Sequence, residues 1–258
     1  MNEVTTTAFL DLVSGRPGHF RLESGHHGGL WLDLDPLFAE PRRIEPFVSS
    51  LTRALRPHAV TAVCGPLLGG AFLAQLVAHA LDVEFCFTER VMPSRSAGLY
   101  PACYRLPTAF ARRVHGKRMA IVDDVMSAGS ALRGTYEELR AHGGVPVVLG
   151  ALLVLGSTGV DFFAERGLAV EAVARGDYPL WSPADCPLCA AGAPLEDVVV
   201  ADNSESSQER NPRWPMPAEP SKSKRGITIG RPITIAAVST ATMTNAMPNQ
   251  EGLKPSCW

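Results

Sequence analysis

Asp123 and Asp124 stand side by side in the run Arg118 to Gly134, and Ser127-Ala128-Gly129-Ser130 follows three residues later. Two adjacent carboxylates repel each other, so their pairing asks for a reason. Carboxylates accept hydrogen bonds from the vicinal hydroxyls of a sugar, or hold the water shell of Mg²⁺. The small residues Ser127 to Ala131 do different work. They let backbone N–H groups converge on an anion at the start of a helix, where the helix dipole favours negative charge. Ser127 and Ser130 add hydroxyl donors. A ligand carrying a phosphate at one end and a ribose diol beside it satisfies each part. The competing reading is a plain strand–turn–helix with an acidic cap.

The elements that must position these groups follow from the apolar pattern. Met119–Val122 reads as a buried strand, and Leu132, Tyr136 and Leu139 mark one face of the helix after it. Gly143-Gly144 ends that helix. Ala59–Cys64, Val83–Phe87, Val145–Leu155 and Ala169–Ala174 read as further strands. Pro46–Arg56, the segment through Ala80 and Val160–Arg166 read as helices between them. Strands alternating with helices define an α/β fold with a doubly wound parallel sheet, whose ligand lies at the carboxyl ends of the strands. Ahead of it, Ala8–Val13 reads as a short helix. His19–Gly25 and Leu30–Leu34 form two strands around a turn that contains His26 and His27. Gly65 to Gly70, after the strand Ala59–Cys64, is either an anion-holding loop or a tight turn. Thr88 to Lys117 is long for a connection inside a compact domain and has the length of a lid or binding loop. Tyr100 and Tyr104 lie within it, to stack on a base or to pack.

Val122 to Arg133 resembles the phosphoribosyl pyrophosphate (PRPP) motif of type I phosphoribosyltransferases, in its orotate form Val-Asp-Asp-Val-Ile-Thr-Ala-Gly-Thr-Ala-Ile-Arg. The N-terminal strands resemble that family's hairpin, with Glu23 where the family carries a PRPP-contacting lysine. Leu68-Gly69 stands where the orotate members carry Tyr-Lys. The lid keeps Arg90, Arg95 and Arg105 but not the Arg-Lys-x-x-Lys-x-His-Gly pattern. Gly156-Ser157-Thr158 stands where an arginine would hold the orotate carboxylate. The resemblance implies transfer of a 5-phosphoribosyl group from PRPP to a nucleobase nitrogen, with release of pyrophosphate. It assigns Asp123 and Asp124 to the ribose diol, Ser127, Ala128, Gly129, Ser130 and Ala131 to the 5-phosphate, and Leu68 and Gly69 to the pyrophosphate loop. Arg90 and Arg95 neutralise the leaving group. It implies Mg²⁺ as cofactor, held through PRPP and water rather than by direct protein ligands, and a homodimer. Orotate use is expected to be weak, because no basic residue stands at Ser157. A module that binds PRPP or a nucleotide without turnover is the alternative, suggested by the missing lysines.

The remaining features set bounds. A formal net charge of −2 gives no electrostatic case for nucleic acid or an anionic membrane as partner. No apolar run reaches membrane-spanning length and the first residues do not read as a signal peptide, so the expected location is the cytoplasm. Cys186 and Cys189 form a Cys-x-x-Cys pair. A structural zinc site wants four ligands, so two reduced thiols in a structured loop are expected there. Residues 1–200 are expected to form the phosphoribosyltransferase-like domain. Residues 201–258, polar and rich in Pro, Ser and Lys at first, are expected to be a disordered tail.

Overall fold

The computed structural model describes residues 9, 13–91 and 98–198. The helix expected over Ala8–Val13 and the tail from residue 201 lie outside them, apart from Phe9 and Val13. Phe9 is buried, its ring 5.1 Å from Phe47 in an edge-on contact.

A hairpin opens the described chain: β1 (Ser14–Arg21) pairs antiparallel with β2 (His27–Asp33). β1 begins earlier than the sequence pattern suggested, because Gly15 and Pro17 pair with Leu32 and Leu30 across the ladder. Two short helices' worth of chain follows as α1 (Asp35–Ala39) and the longer α2 (Pro41–Leu55). The sequence pattern starts this helix at Pro46, but Pro41 holds that place and Pro46 lies inside. The buried stripe Ile44, Phe47, Val48, Leu51 and Leu55 carries the helix past it. Next come β3 (Ala62–Pro66), α3 (Gly69–Leu81), β4 (Glu84–Val91) and β5 (Cys103–Arg105). α4 (Thr108–Ala111), β6 (Arg118–Met126), α5 (Ser130–Ala141), β7 (Val145–Leu155), α6 (Thr158–Ala164) and β8 (Ala169–Gly176) complete the α/β part. β9 (Leu180–Trp181), α7 (Pro187–Ala190) and β10 (Glu196–Asp197) close the described chain.

The main sheet has the order β5-β4-β3-β6-β7-β8, parallel except where β5 turns back on β4. Alternate residues of β6 enter different cores. Ala120 and Val122 pack with α2 and α3, while Met119 and Ile121 pack with α5 and α6. Both faces are therefore covered, as the continuous apolar strands required. The second sheet, β10-β1-β2-β9, forms the N-terminal hood. It borrows an edge strand from the C-terminal end of the described chain on each side, which the sequence pattern did not show.

Chain direction across the main sheet reverses between β3 and β6. From β3 the chain moves outward to β4 and β5; from β6 it moves the other way to β7 and β8. A crevice at such a switch point is where open α/β sheets bind ligands.

Candidate active site at the switch point

β6 is longer than the apolar run Met119–Val122. Its pairing with β3 stops at Cys64–Ile121, but its ladder with β7 continues through Met126–Val154. Asp123 and Asp124 thus lie inside the strand rather than beyond its end. β7 supports them on one side, and on the other they face the loop that follows β3.

That loop comes very close. A β-carbon placed on Gly70 would lie 2.6 Å from Asp123 Oδ1, and one on Gly69 would lie 2.8 Å from Asp124 Cγ. Only glycine lets the backbone run against both carboxylates. The Leu67–Leu68 peptide bond in this loop is cis, and Leu68 is exposed. Gly65 packs against the Gly70 carbonyl and closes the turn. The pairing of a glycine loop with an acidic pair, read from sequence as two separate motifs, is a single structural unit.

The carboxylates are held by their own strand. The Asp124 amide donates to Asp123 Oδ1 at 3.1 Å, and the Val125 amide donates to Asp124 Oδ1 at 2.7 Å. Burial pushes the Asp123 carboxyl well above the ordinary carboxylate range, and the charges of Asp124 and Glu23 push it the same way.

Beyond β6 the chain turns through Ser127 to Gly129 into α5. Gly129 sits in the left-handed region at φ 73° and its carbonyl accepts from the Arg133 amide at 2.8 Å. The Ser127 carbonyl accepts from the Gly159 amide at 3.1 Å, which seats the turn against α6. The Ser127 hydroxyl is buried, with no hydrogen-bond partner among the described residues. A buried hydroxyl left over at the start of a helix is what an anion-binding turn would present.

Glu23 enters this site from the hood. Its carboxylate accepts from Ser130 Oγ at 2.7 Å, from the Tyr104 hydroxyl at 2.9 Å and from Arg90 Nη1 at 3.2 Å. Ser130 and Arg90, both expected to face phosphate, therefore already share an anion supplied by the chain itself. Tyr104 is buried, and its phenol is pushed up by burial and by the Glu23 carboxylate. Of the two fates read for this tyrosine, packing is the one observed. The sequence showed Glu23 only as a departure from the lysine of the resemblance. Its partners lie more than 60 residues away, and no local signal named them.

The lid reading finds a hairpin. Glu89, Arg90 and Val91 of β4 pair with Arg105, Tyr104 and Cys103 of β5. Arg95 lies outside the described residues. Arg105 pairs with Glu138 at 3.3 Å, away from Glu23.

Arg133 changes the picture at Ser157. From α5 its guanidinium reaches across to donate to the Thr158 carbonyl at 3.0 Å, and it stacks 4.2 Å from the Tyr100 ring centroid and 3.9 Å from that of Phe162. Its Nε is buried without a hydrogen-bond partner among the described residues. His26, on the same side, stacks edge-on against Tyr100 at 5.6 Å. A cation thus stands beside the Gly156–Thr158 segment, supplied by a different element. His26 and His27, which the sequence places at the turn between the two N-terminal strands, are both buried.

The parallel α/β sheet brings a glycine loop, an acidic pair and a small-residue turn together at its switch point. Comparison with known proteins places the chain in a family. No protein-family model matches the sequence. The chain is 31% identical over 179 residues to the orotate phosphoribosyltransferase of Thermotoga petrophila, covering 69% of this chain and 88% of that one. It is 30% identical over 182 residues to the orotate phosphoribosyltransferase of Thermotoga maritima, with the same coverage of 69% and 88%. The fold resembles the adenine phosphoribosyltransferase of Giardia lamblia, solved with 9-deazaadenine: TM-score 0.53 at 16% identity, over 66% of this chain and 97% of that one. The adenine phosphoribosyltransferase of Thermoanaerobacter pseudethanolicus gives a TM-score of 0.52 at 15% identity, over 66% and 99%. The chain belongs to the type I phosphoribosyltransferase family and is orotate phosphoribosyltransferase-like. No helix among the described residues is long and apolar enough to cross a membrane.

Proposed function

We propose that this chain transfers the 5-phosphoribosyl group of PRPP to a ring nitrogen of a nucleobase and releases pyrophosphate. The observation that carries the reading is the contact of the Asp123–Asp124 pair with the Gly69-Gly70 backbone, one turn of chain away from the buried Ser127 hydroxyl, which has no partner among the described residues. In this assignment the two carboxylates accept from the ribose diol and oppose the positive charge that develops on the ribose as pyrophosphate departs. The amides and hydroxyls of Ser127 to Ala131 take the 5-phosphate. The Leu68-Gly69 loop takes the pyrophosphate, joined by Arg90 of the hairpin and by Arg95. The donor set suits Mg²⁺, a cation that prefers oxygen ligands and keeps several waters, and Asp123 and Asp124 would hold it through water. When bound it supplies charge neutralisation for the pyrophosphate. A homodimer and a cytoplasmic location belong to the same proposal.

For PRPP to reach Ser130 and Arg90, the Glu23 carboxylate must yield them. The base lies toward Tyr100 and Arg133, and the orotate-named relatives make orotate the first base to offer. Arg133 is the described cation best placed for its carboxylate, in a role that Gly156-Ser157-Thr158 cannot fill.

Isothermal titration with Mg-PRPP, followed by a pyrophosphate-release screen over free bases, tests the reading. Binding and turnover are expected. If orotate is used, Arg133→Met is expected to raise its KM far more than it lowers kcat with saturating base. Tight Mg-PRPP binding without turnover on any base would make this a sensing module. No binding would remove the assignment.

A further inference from the structure

Four side chains outside the switch-point crevice converge on one point: His19 of β1, His27 of β2, and Cys186 and Cys189 around α7. Their ligand atoms all lie within 4.8 Å of one another. We propose that they form a zinc site in which Cys186 Sγ, Cys189 Sγ, His19 Nε2 and His27 Nδ1 are the four ligands.

The distances have the dimensions of a closed tetrahedral site. With Zn–S near 2.3 Å and Zn–N near 2.0–2.1 Å, tetrahedral geometry places sulfur about 3.6 Å from nitrogen and the two nitrogens about 3.3 Å apart. Cys186 Sγ lies 3.4 Å from His19 Nε2, and Cys189 Sγ lies 3.6 Å from the same atom. Cys189 Sγ is 3.2 Å from His27 Nδ1, and the two histidine nitrogens are 3.2 Å apart. Two soft thiolates with two imidazoles is a donor set that selects zinc over the oxygen-seeking Mg²⁺ and Ca²⁺.

A second observation supports it independently. His19 Nδ1 donates to the Ala193 carbonyl at 3.0 Å. That hydrogen bond fixes the tautomer so that Nε2 is the lone-pair nitrogen aimed at the sulfurs, the second contact usual for a metal-bound histidine. His19, His27 and Cys186 are buried, while Cys189 is exposed and offers an entry path.

The topology explains how a single Cys-x-x-Cys becomes a complete site. β9, just before the cysteines, pairs with β2 at His27↔Trp181, and β10, just after them, pairs with β1 at Phe20↔Glu196. The segment between them must arch over the hairpin face that carries both histidines. Zinc would displace two thiol protons and tie this arch to the hood. The hairpin turn presents Glu23 to Ser130, Arg90 and Tyr104, so the metal is structural and acts on the crevice only through that turn.

The test uses the full chain, produced with zinc in the medium and purified without chelator. Elemental analysis is expected to give about one zinc per chain, as a single four-ligand site requires. Cys189→Ser and His27→Ala are each expected to lose it, and Cys189→Ser, at an exposed position, is expected to keep the native far-UV circular dichroism. Cobalt(II) added to the chelator-stripped protein is expected to give thiolate-to-metal charge-transfer absorption and the intense visible bands of a tetrahedral ion. Chelation is expected to lower the melting temperature of the wild type by several degrees and to leave that of Cys189→Ser unmoved. Failure of the reduced, stripped wild type to take up zinc or cobalt would overturn the proposal, as would zinc retained by both variants. A Cys186–Cys189 disulfide in the freshly purified protein, with no metal bound after reduction, would show the pair to be a redox couple instead.

Discussion

Gly69→Ala separates the acidic pair's role in the reaction from its role in the fold. A β-carbon there would lie 2.8 Å from Asp124 Cγ and nearer still to Oδ2. Non-bonded carbons settle at about 3.5–4.0 Å, so Asp124 must retreat by about 1 Å. The obstacle is the end of a side chain, and the carboxylate can rotate away without moving β6. The added strain is on the order of 1 kcal/mol, at the low end for overpacking. The catalytic cost is larger, because misplacing a reacting group by about 1 Å lowers the rate by about 10²-fold, or roughly 2.7 kcal/mol of barrier. Gly65→Ala is the contrast: its β-carbon would run into the Gly70 carbonyl and lie 2.8 Å from the Ala71 amide nitrogen. Backbone cannot rotate aside, so that variant is expected to unfold or melt far lower. The assay is steady-state pyrophosphate release with thermal melting in parallel. Gly69→Ala is expected to melt within a few degrees of wild type and to lose about two orders of magnitude in kcat/KM for Mg-PRPP. Wild-type kcat/KM in a folded Gly69→Ala would refute the reasoning, since Asp124 would then have moved without consequence.

Asp123→Asn tests the buried charge through pH. Its folded carboxyl titrates above the ordinary 3.8, with burial as the first cause and Asp124 and Glu23 behind it. Between the unfolded and folded values the folded state binds the extra proton, so stability falls as pH rises through that window. The asparagine variant is therefore expected to melt higher than wild type at pH 7–8, with the gain vanishing below about pH 3.5, while turnover falls by about 10²-fold or more. A lower melting temperature at pH 8 would contradict the sign. Glu23→Gln weakens three charge-assisted bonds and should cost about 1–2 kcal/mol, a fall of a few degrees in melting temperature. It also frees Ser130 and Arg90, so calorimetry is expected to show tighter Mg-PRPP binding; weaker binding would show that Glu23 helps hold the ligand.

The strands and helices around Asp123 and Asp124 were legible along the chain, because burial on both faces leaves apolar runs and helical spacing that a local window captures. The small-residue turn was legible for the same reason: its chemistry lies within one stretch, Ser127 to Ala131. Element ends were less so. β6 extends past its apolar run because β7 offers an unbroken partner as far as Val154, and α2 starts at Pro41 because its buried face outweighs the proline at 46.

What only the tertiary structure decided are meetings between distant stretches. Gly69 lies against Asp124 because the chain reverses direction across the sheet between β3 and β6. Glu23 takes Ser130 and Arg90 because the hood folds over the crevice. Arg133 stands at Thr158 because α5 and α6 pack on the same face. Cys186 and Cys189 find His19 and His27 because β9 and β10 flank the hairpin. Each pairing costs loop closure over tens to more than a hundred residues, and burial elsewhere in the fold supplies the free energy for it. Local sequence therefore specifies the parts of this site, while the packing of the whole domain decides which parts face one another.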